Sequence, residues 1–548
     1  MILTLALLCS VALADQPAKT EDTAADTKRL DIGKQIYLTG HTASGDAIQA
    51  IVGGDAPVNG DQFSCVSCHR RSRLGSSEGG KQVPPLTAKA LFKPAEASVT
   101  LGVLPKAFKY AGSMRLPYTD ETLVRAIREG IDPSGRKLDP LMPRYALDED
   151  TVAALTVYLK SESSSSIPGV DGTTLHFATV VTEGVDPVKR KAMLDILTGY
   201  FQDKNADTRH NTKRAKFSAY KMYQVYRKWE LHVWELKGAE STWPVQLENY
   251  YKAQPVLAML GGLSASGWQP IHQFCEHFEV ACLFPNTDVP VISDTDFYTT
   301  YFSKGITLEA EVLANHLKNT TAKTKNQAII QVFRDNGQGV VAAKALHNAL
   351  QKTDEPRLQD ISVAGSEKLG TAFWENLFKK QDKGILVVWL NKEDLETLGD
   401  IKKLPNGIAA VYGSANLMGD PAVKLPDATK AKLYLIYPWE LPDAKQVQLM
   451  RVKSWLKSKQ IPFVDEHLQA NTFFSAQVLA EVIMHLLDNF SPAYIIERVE
   501  GMLATLSTNS IYPHLSLGAG QRFASKGGYI VKVSPDGHLL SENGWIVP

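Results

Sequence analysis

The chain has no excess of charge of either sign, since 59 Lys and Arg balance 59 Asp and Glu. No bulk field draws it to nucleic acid or to an anionic membrane, and a nucleic-acid partner is excluded. Cysteine is scarce, at 5 of 548 residues, too few for a disulfide-stapled scaffold. Past the first fourteen residues, no apolar run reaches the roughly 18 positions needed to span a bilayer, so no membrane span is expected. Phosphate-loop, nucleophile-elbow and H-E-x-x-H patterns are all missing, which argues against an enzyme. Tryptophan is missing from the first 228 positions, although the chain has nine. That compositional break marks two regions of different kind.

What is present is an ordinary globular composition, 44% hydrophobic and 22% charged, on a chain too long for one core. Two to four domains are expected. Residues 1–14 read MILTLALLCSVALA, a short apolar run ending in Ala-Leu-Ala, with polar sequence from Asp15. This is the pattern of a cleaved export signal, though no Lys or Arg precedes it. Export makes disulfides permissible and points to the periplasm. Residues 162–174, ESSSSIPGVDGTT, read as a flexible linker between a domain at 22–161 and a region at 175–548.

In the first domain, Cys65-Val-Ser-Cys68-His69 fits C-x-x-C-H, the pattern of covalent haem attachment. Two thiols three positions apart can form thioethers to the two haem vinyl groups, and the adjacent imidazole then lies under the iron. A zinc site lacks a second Cys/His pair nearby, and a thioredoxin-like site lacks the surrounding βαβ pattern. A single-haem carrier needs a second axial ligand, for which Met142 in Leu-Met-Pro-Arg-Tyr is the candidate and Met114 the rival. Met142 precedes an amphipathic helix expected over 148–160, with Val152, Leu155 and Leu159 on one face.

These segments resemble a class I cytochrome c domain. Gly33 to Gly40 is similar to that family's opening helix, and C-x-x-C-H, Pro84-Pro85-Leu86, Met142-Pro143 and a closing helix ending Tyr158-Leu159-Lys160 follow in order. The resemblance implies an all-α domain with one covalent haem c on Cys65 and Cys68, His69 proximal and Met142 distal. It also implies a Pro84 or Pro85 carbonyl accepting from the far imidazole nitrogen. The implied role is single-electron transfer with a redox partner, a periplasmic dehydrogenase or another cytochrome. The long stretch 70–115 departs from the family, and Arg70, Arg71 and Arg73 read as a solvated charge cluster or a partner for propionate.

From residue 175 onward, short apolar runs alternate with longer amphipathic ones. Strands are expected at 175–181, 231–236, 255–260, 280–284, 328–333, 360–364, 385–390, 408–412 and 433–437, which implies parallel α/β sheets, two rather than one. The strand ending at Leu260 runs into Gly-Gly-Leu-Ser-Ala-Ser and then a helix at 268–276. Such a turn can hold an anion, although Ser there can equally be a plain N-cap. The arrangement resembles the type 1 periplasmic substrate-binding proteins of the branched-chain amino acid kind. That resemblance implies a two-lobed α/β fold, with lobe 1 at 175–302 and 432–515 and lobe 2 at 303–431 and 516–548. It places Ser264, Ala265, Ser266, Asn286 and Asp288 at an amino-acid-like ligand, with Tyr412 and Trp439 as candidates from the other side. Cys275 and Cys282 read as a local disulfide, the alternative being a metal set completed by His272 and His277. A sensor in which cleft closure modulates the haem is the alternative to a carrier fused to a binding domain.

Overall fold

The structure is a computed structural model that describes residues 19–78, 80–93, 115–161, 167–215, 227–319, 327–351, 358–401, 403–419, 424–486, 489–506, 509–534 and 538–548. The export segment 1–14, Met114 and residues 162–166 of the expected linker lie outside the described residues. The chain divides into two compact units, Met1–Ser166 and Ile167–Pro548. Residues 167–174, expected as linker, belong to the second unit, where Asp171 Oδ1 accepts from the N–H of Thr173 at 2.7 Å and of Thr174 at 2.6 Å.

The first unit carries helices α1 (Lys19–Thr39), α2 (Cys65–His69), α3 (Ala88–Phe92), α4 (Asp120–Glu129) and α5 (Glu149–Lys160). The all-α expectation needs correction. Strands β1 (Gln49–Val52), β2 (Ala56–Asn59) and β5 (Arg144–Tyr145) form a small antiparallel sheet, and β3 (Ser76–Glu78) pairs with β4 (Lys81–Val83) as a hairpin. Glycine explains it: Gly53 and Gly54, at φ 67° and 107°, allow the tight β1–β2 turn, and Gly80 at φ 78° turns the hairpin. Asp148 caps α5, its Oδ1 accepting from Thr151 N–H at 2.7 Å. Buried Ile36, Tyr37, Leu123, Ile127, Val152, Leu155 and Leu159 make the core. α1 and α5 meet there so closely that a Cβ on Gly33 would stand 2.1 Å from the Ala154 carbonyl oxygen and 2.8 Å from Tyr158 Cβ.

The second unit holds two sheets built on one plan. The first has the order β10-β9-β8-β6-β7, with β6 (Thr174–Thr182), β7 (Lys228–Leu236), β8 (Ala258–Leu260), β9 (Ala281–Leu283) and β10 (Thr299–Thr300), all parallel. The second has the order β12-β11-β13-β14-β15-β16-β17. Its first five strands, β11 (Ile329–Arg334), β12 (Leu358–Val363), β13 (Lys383–Trp389), β14 (Gly407–Ser414) and β15 (Leu433–Tyr437), are parallel. The last two, β16 (Tyr529–Val533) and β17 (Leu539–Ser541), are antiparallel additions. Counted in chain order, each set of five parallel strands is arranged 2-1-3-4-5. The two-lobed α/β expectation is met, and every strand expected from the apolar runs is present.

Helices α6 (Pro187–Ala215), α7 (Trp243–Ala253) and α8 (Gln269–His277) connect the first sheet, and α9 (Ile306–Asn319) and α10 (Gly337–Leu350) pack on the second. Helices α11 (Pro442–Ser458), α12 (Glu466–Leu486) and α13 (Pro492–Met502) follow β15. The α12 helix is buried on all sides from Leu468 to Ala480. Its polar side chains are therefore bonded internally: Gln469 Nε2 donates to Pro462 O at 2.8 Å and Thr472 Oγ1 to Leu468 O at 2.7 Å.

The expected lobe boundaries shift. Residues 433–437 were assigned to lobe 1, but β15 is laddered to β14 and β16 in the second sheet. Residues 516–524 were assigned to lobe 2, but Leu517 and Ala524 lie in the first core, and Ala524 N–H bonds Tyr301 O at 3.0 Å. The chain thus crosses between lobes near 302–305, 438–441 and 525–528. Among the described residues no helix is long and apolar enough to cross a membrane.

Gly33→Ala should cost about 1–3 kcal/mol, because the added carbon meets backbone that cannot step aside. Hydrogen exchange followed by mass spectrometry on the full chain should show faster exchange in α1 and α5 alone. Unchanged exchange there would contradict the close crossing.

Candidate functional site

In the first unit, α2 puts Cys65, Cys68 and His69 on little more than one helical turn, with the two thiols on one face. Burial pushes the Cys65 thiol up to about 12, while Cys68 is exposed. His69 is buried, and its Nδ1 stands 2.9 Å from the Pro84 carbonyl oxygen. Desolvation lowers the His69 pKa, so the ring is neutral, with Nδ1–H donating to Pro84 and Nε2 left to ligate. The Pro84 segment is held in turn by Leu86 N–H on Arg73 O at 2.8 Å. Tyr145 Oη donates to Phe63 O at 2.5 Å. That bond ties β5, and the half-buried Met142 three residues ahead of Tyr145, to the segment before Cys65. Arg73 is not part of a solvated cluster: it is 3% exposed, donates to Tyr158 O at 2.7 Å and lies over the Tyr158 ring. Two thiols and a tethered neutral imidazole are the donor set covalent haem requires, and these residues fit that group.

In the second unit the topology locates the site before any side chain is considered. In a 2-1-3-4-5 sheet the connections diverge between the first and third strands, leaving a crevice at their carboxyl ends. In the first lobe this is the gap between the loops after β6 and β8, and in the second between those after β11 and β13. Asn286 follows β9, where its N–H bonds Gly262 O at 3.2 Å beside the loop that carries Ser264 to Ser266. Asp288 lies two residues on, and Gln338 at the start of α10 donates to its Oδ2 at 3.2 Å, joining the two lobes' strand ends. Burial raises the Asp288 carboxyl, with the Gln338 bond and Lys189 pulling the other way. Asn286 Oδ1 is buried without a partner.

The turn after β8 is already occupied from within. Ala265 N–H bonds Thr182 Oγ1 at 2.9 Å, Ser266 N–H bonds Ser264 Oγ at 3.2 Å and Gly267 N–H bonds Glu240 Oε1 at 2.8 Å. The Gly267 N–H and the Ser266 hydroxyl hold the Glu240 carboxyl below its usual range. Ser264, Ala265 and Ser266 were expected to hold a ligand carboxylate, but their donors are spent on the loop and on Glu240, which no motif pointed to.

Glu309, on α9, is fully buried, and its Oε1 accepts from Asn416 N–H at 3.1 Å. Desolvation raises its pKa to about 8, and Asp288 adds to the rise. Tyr512 is close enough to both carboxyls for each to raise its own pKa. Trp439 is buried just after β15, with its ring 3.9 Å from that of His467. Burial lowers the His467 pKa to about 4. Tyr412 lies elsewhere, on the side of the second sheet packed by α9, bonded to His316 Nε2 at 3.1 Å.

Glu309, Gln338 and Tyr512 were missed in the sequence. Only Glu309 left a signal, as a carboxyl interrupting the apolar stripe Ile306, Ala310, Leu313 at helical spacing. A separate concavity of about 480 Å³ between α6, α11 and α12 is lined by Asp203, Arg451 and Trp455. Its Asp203 is already bonded to Trp455 Nε1 and Lys459.

The structure holds Cys275 and Cys282 as neighbouring buried free thiols rather than as the expected bridge. Cys275 points from α8 onto the sheet, its Sγ 3.5 Å from Met259 Sδ. The alternative metal set does not assemble, because His272 is engaged by Asp296 Oδ2 at 2.6 Å and by Tyr301 Oη at 2.9 Å.

No protein-family model and no curated protein matches the chain. Solved structures similar to it include a fatty acid ABC transporter substrate-binding protein from Thermomonospora curvata, 14% identical, covering 70% of this chain and 95% of that one at TM-score 0.47. A branched chain amino acid ABC transporter from Thermus thermophilus with bound valine is 11% identical, covering 69% and 96% at TM-score 0.46. A leucine binding protein from Thermotoga maritima is 11% identical, covering 68% and 99% at TM-score 0.46.

Because the folded state holds Glu309 protonated, its contribution to stability is complete below its ordinary value of 4.5 and is lost as pH rises through about 8. The melting temperature of the second unit should fall across that window. Glu309→Gln should flatten the fall, and an equally steep profile in the variant would refute the assignment.

Proposed function

We propose that the chain is an exported c-type cytochrome exchanging single electrons with a periplasmic redox partner. In this reading its second unit, of the type 1 periplasmic-binding-protein kind, binds a small amino-acid-like ligand through a cationic amine. The observation that supports the haem half is the Nδ1 contact of His69 with Pro84, which presets ring orientation and tautomer on a C-x-x-C-H helix. Cys65 and Cys68 would hold haem c through thioethers, and His69 and Met142 would ligate its iron; when bound, the group would supply a one-electron iron couple. His69 and Pro84 orient, Arg73 anchors the following loop to α5, and Tyr145 fastens the Met142 strand beside α2.

For the binding half the supporting observation is Asp288, a carboxyl at the strand ends where the two lobes meet. Tyr512, close enough to Asp288 for that carboxyl to raise its pKa, adds an aromatic ring that favours a cation at such a place. Because Glu240 already serves the turn after β8, recognition rests on the ligand's amine rather than on its carboxylate. Glu309, kept protonated, leaves Asp288 as the charge the amine meets.

Protein exported by a host that matures haem c should keep one haem mass after denaturation. The Cys65→Ala, Cys68→Ala double variant should lose it, and a bare polypeptide mass for the wild type would overturn the cytochrome reading. Among the twenty amino acids screened by thermal shift, a binder should lose about tenfold or more in affinity in Asp288→Asn, the scale of a charged hydrogen bond. Wild-type affinity should also fall on the acid side, as Asp288 takes up a proton and loses the charge that pairs the amine. A variant that binds as the wild type would reject the amine site.

A further inference from the structure

At the far ends of β6 and β7 lies a cluster that neither the haem segment nor the cleft uses. Pairing in register sets His176 opposite Glu230 and Ala178 opposite His232. Side chains two apart on a strand share a face, so His176, Glu230 and His232 converge on one side of the sheet. Their donor atoms all lie within 4.8 Å of one another, the one such group of three His, Cys, Asp or Glu among the described residues. His176 Nδ1 is 3.0 Å from His232 Nε2. Two ligands held about 2.0–2.1 Å from a tetrahedral ion stand roughly 3.3 Å apart, so a few tenths of an ångström would admit one.

A second, independent feature is the far side of the His176 ring. Its Nε2 stands 3.2 Å from Asp171 Oδ2. Carboxylate, imidazole and metal in line is the arrangement that fixes the tautomer and orientation of a ligating histidine. With Nε2–H given to Asp171, Nδ1 carries the lone pair that points at His232. Asp171 is itself held in place by the N–H groups of Thr173 and Thr174. The His176 side chain is only 12% exposed, whereas that of Glu230 is 45% exposed, which leaves the group open on one side. Lys228 touches Glu230 only loosely, at 3.6 Å.

We propose that His176, Glu230 and His232 form a binding site for a divalent transition-metal ion of the zinc class, with Asp171 positioning His176. Three protein ligands leave a fourth place for water or for a donor from another molecule. The site is distinct from the cleft, since six residue steps of β6, roughly 20 Å of strand, separate His176 from Thr182 at the carboxyl end. Binding trades the imidazole–imidazole hydrogen bond for two metal–nitrogen bonds, and the proton on His232 Nε2 moves to its other nitrogen.

The test is equilibrium dialysis of the tag-free full chain against Zn²⁺, with bound metal counted by elemental mass spectrometry and affinity measured by calorimetry. One zinc per chain is expected. His232→Ala and Glu230→Gln should each weaken it about tenfold or more, and Asp171→Asn by about 10–100-fold through loss of the orienting carboxylate. Zinc should raise the melting temperature of the wild type but not of His232→Ala. Glu230→Gln preserves shape at a half-exposed position, so matched metal-free melting curves keep the comparison sound. Zinc bound equally by the wild type, His232→Ala and Glu230→Gln, or no stoichiometric zinc on the wild type, would overturn the site.

Discussion

Parallel strands impose one direction on everything that follows them. In each lobe all five parallel strands end at the same edge, so every loop leaving a strand, and every helix it feeds, begins there. Order 2-1-3-4-5 then splits those loops apart between the first and third strands. Doing this twice in one chain, with three crossings between the lobes, sets two such edges against each other. The bond from Gln338 to Asp288 is one place at which they touch.

Polar groups brought together at that edge have to be satisfied or neutralised, and the two outcomes divide the cleft. Around the turn after β8, backbone N–H groups find Thr182, Ser264 and Glu240, so the turn is rigid and self-contained. Deeper in, Glu309 is neutralised by keeping its proton, because an ionised carboxylate there would lose its hydration without a cation to replace it. Helix α12 shows the same economy, carrying five buried polar side chains beneath the cleft and bonding Gln469, Thr472 and Ser475 within its own neighbourhood.

The first unit depends on a different constraint, the close approach of its first and last helices. Gly33 lets α1 lie against the backbone of α5, and Tyr37 and Tyr158 pack on each other beside the crossing. Arg73 then joins the loop after the C-x-x-C-H helix to the end of α5, and Tyr37 Oη bonds Arg70 O at 2.7 Å. The short helix bearing Cys65, Cys68 and His69 is thus held from two sides by the helix pair, which is what a preset imidazole requires.

Local pattern was enough for much of this. Strand runs such as 433–437 coincide with β15 to the residue, the helix expected over 148–160 is α5 with Asp148 as its cap, and C-x-x-C-H is legible because its chemistry lies within little more than one helical turn. The small sheets of the first unit were hidden because glycine-rich stretches read alike whether they loop or turn a hairpin. The lobe boundaries were misplaced because a strand's apolar run does not say which sheet it joins. Cys275 and Cys282 are close in sequence, yet a helix and a strand aim them side by side without a bond. His176 lies 54 and 56 residues before Glu230 and His232, and only the in-register pairing of β6 with β7 brings them together. The sequence by itself determined the main strands of the second unit, the closing helix of the first and the donor set on α2, because those rest on interactions within a few residues. The tertiary structure alone decided what meets across the cleft, which loop donors are already spent and which carboxyl keeps its proton, because burial and partnership come from chain segments far apart in sequence.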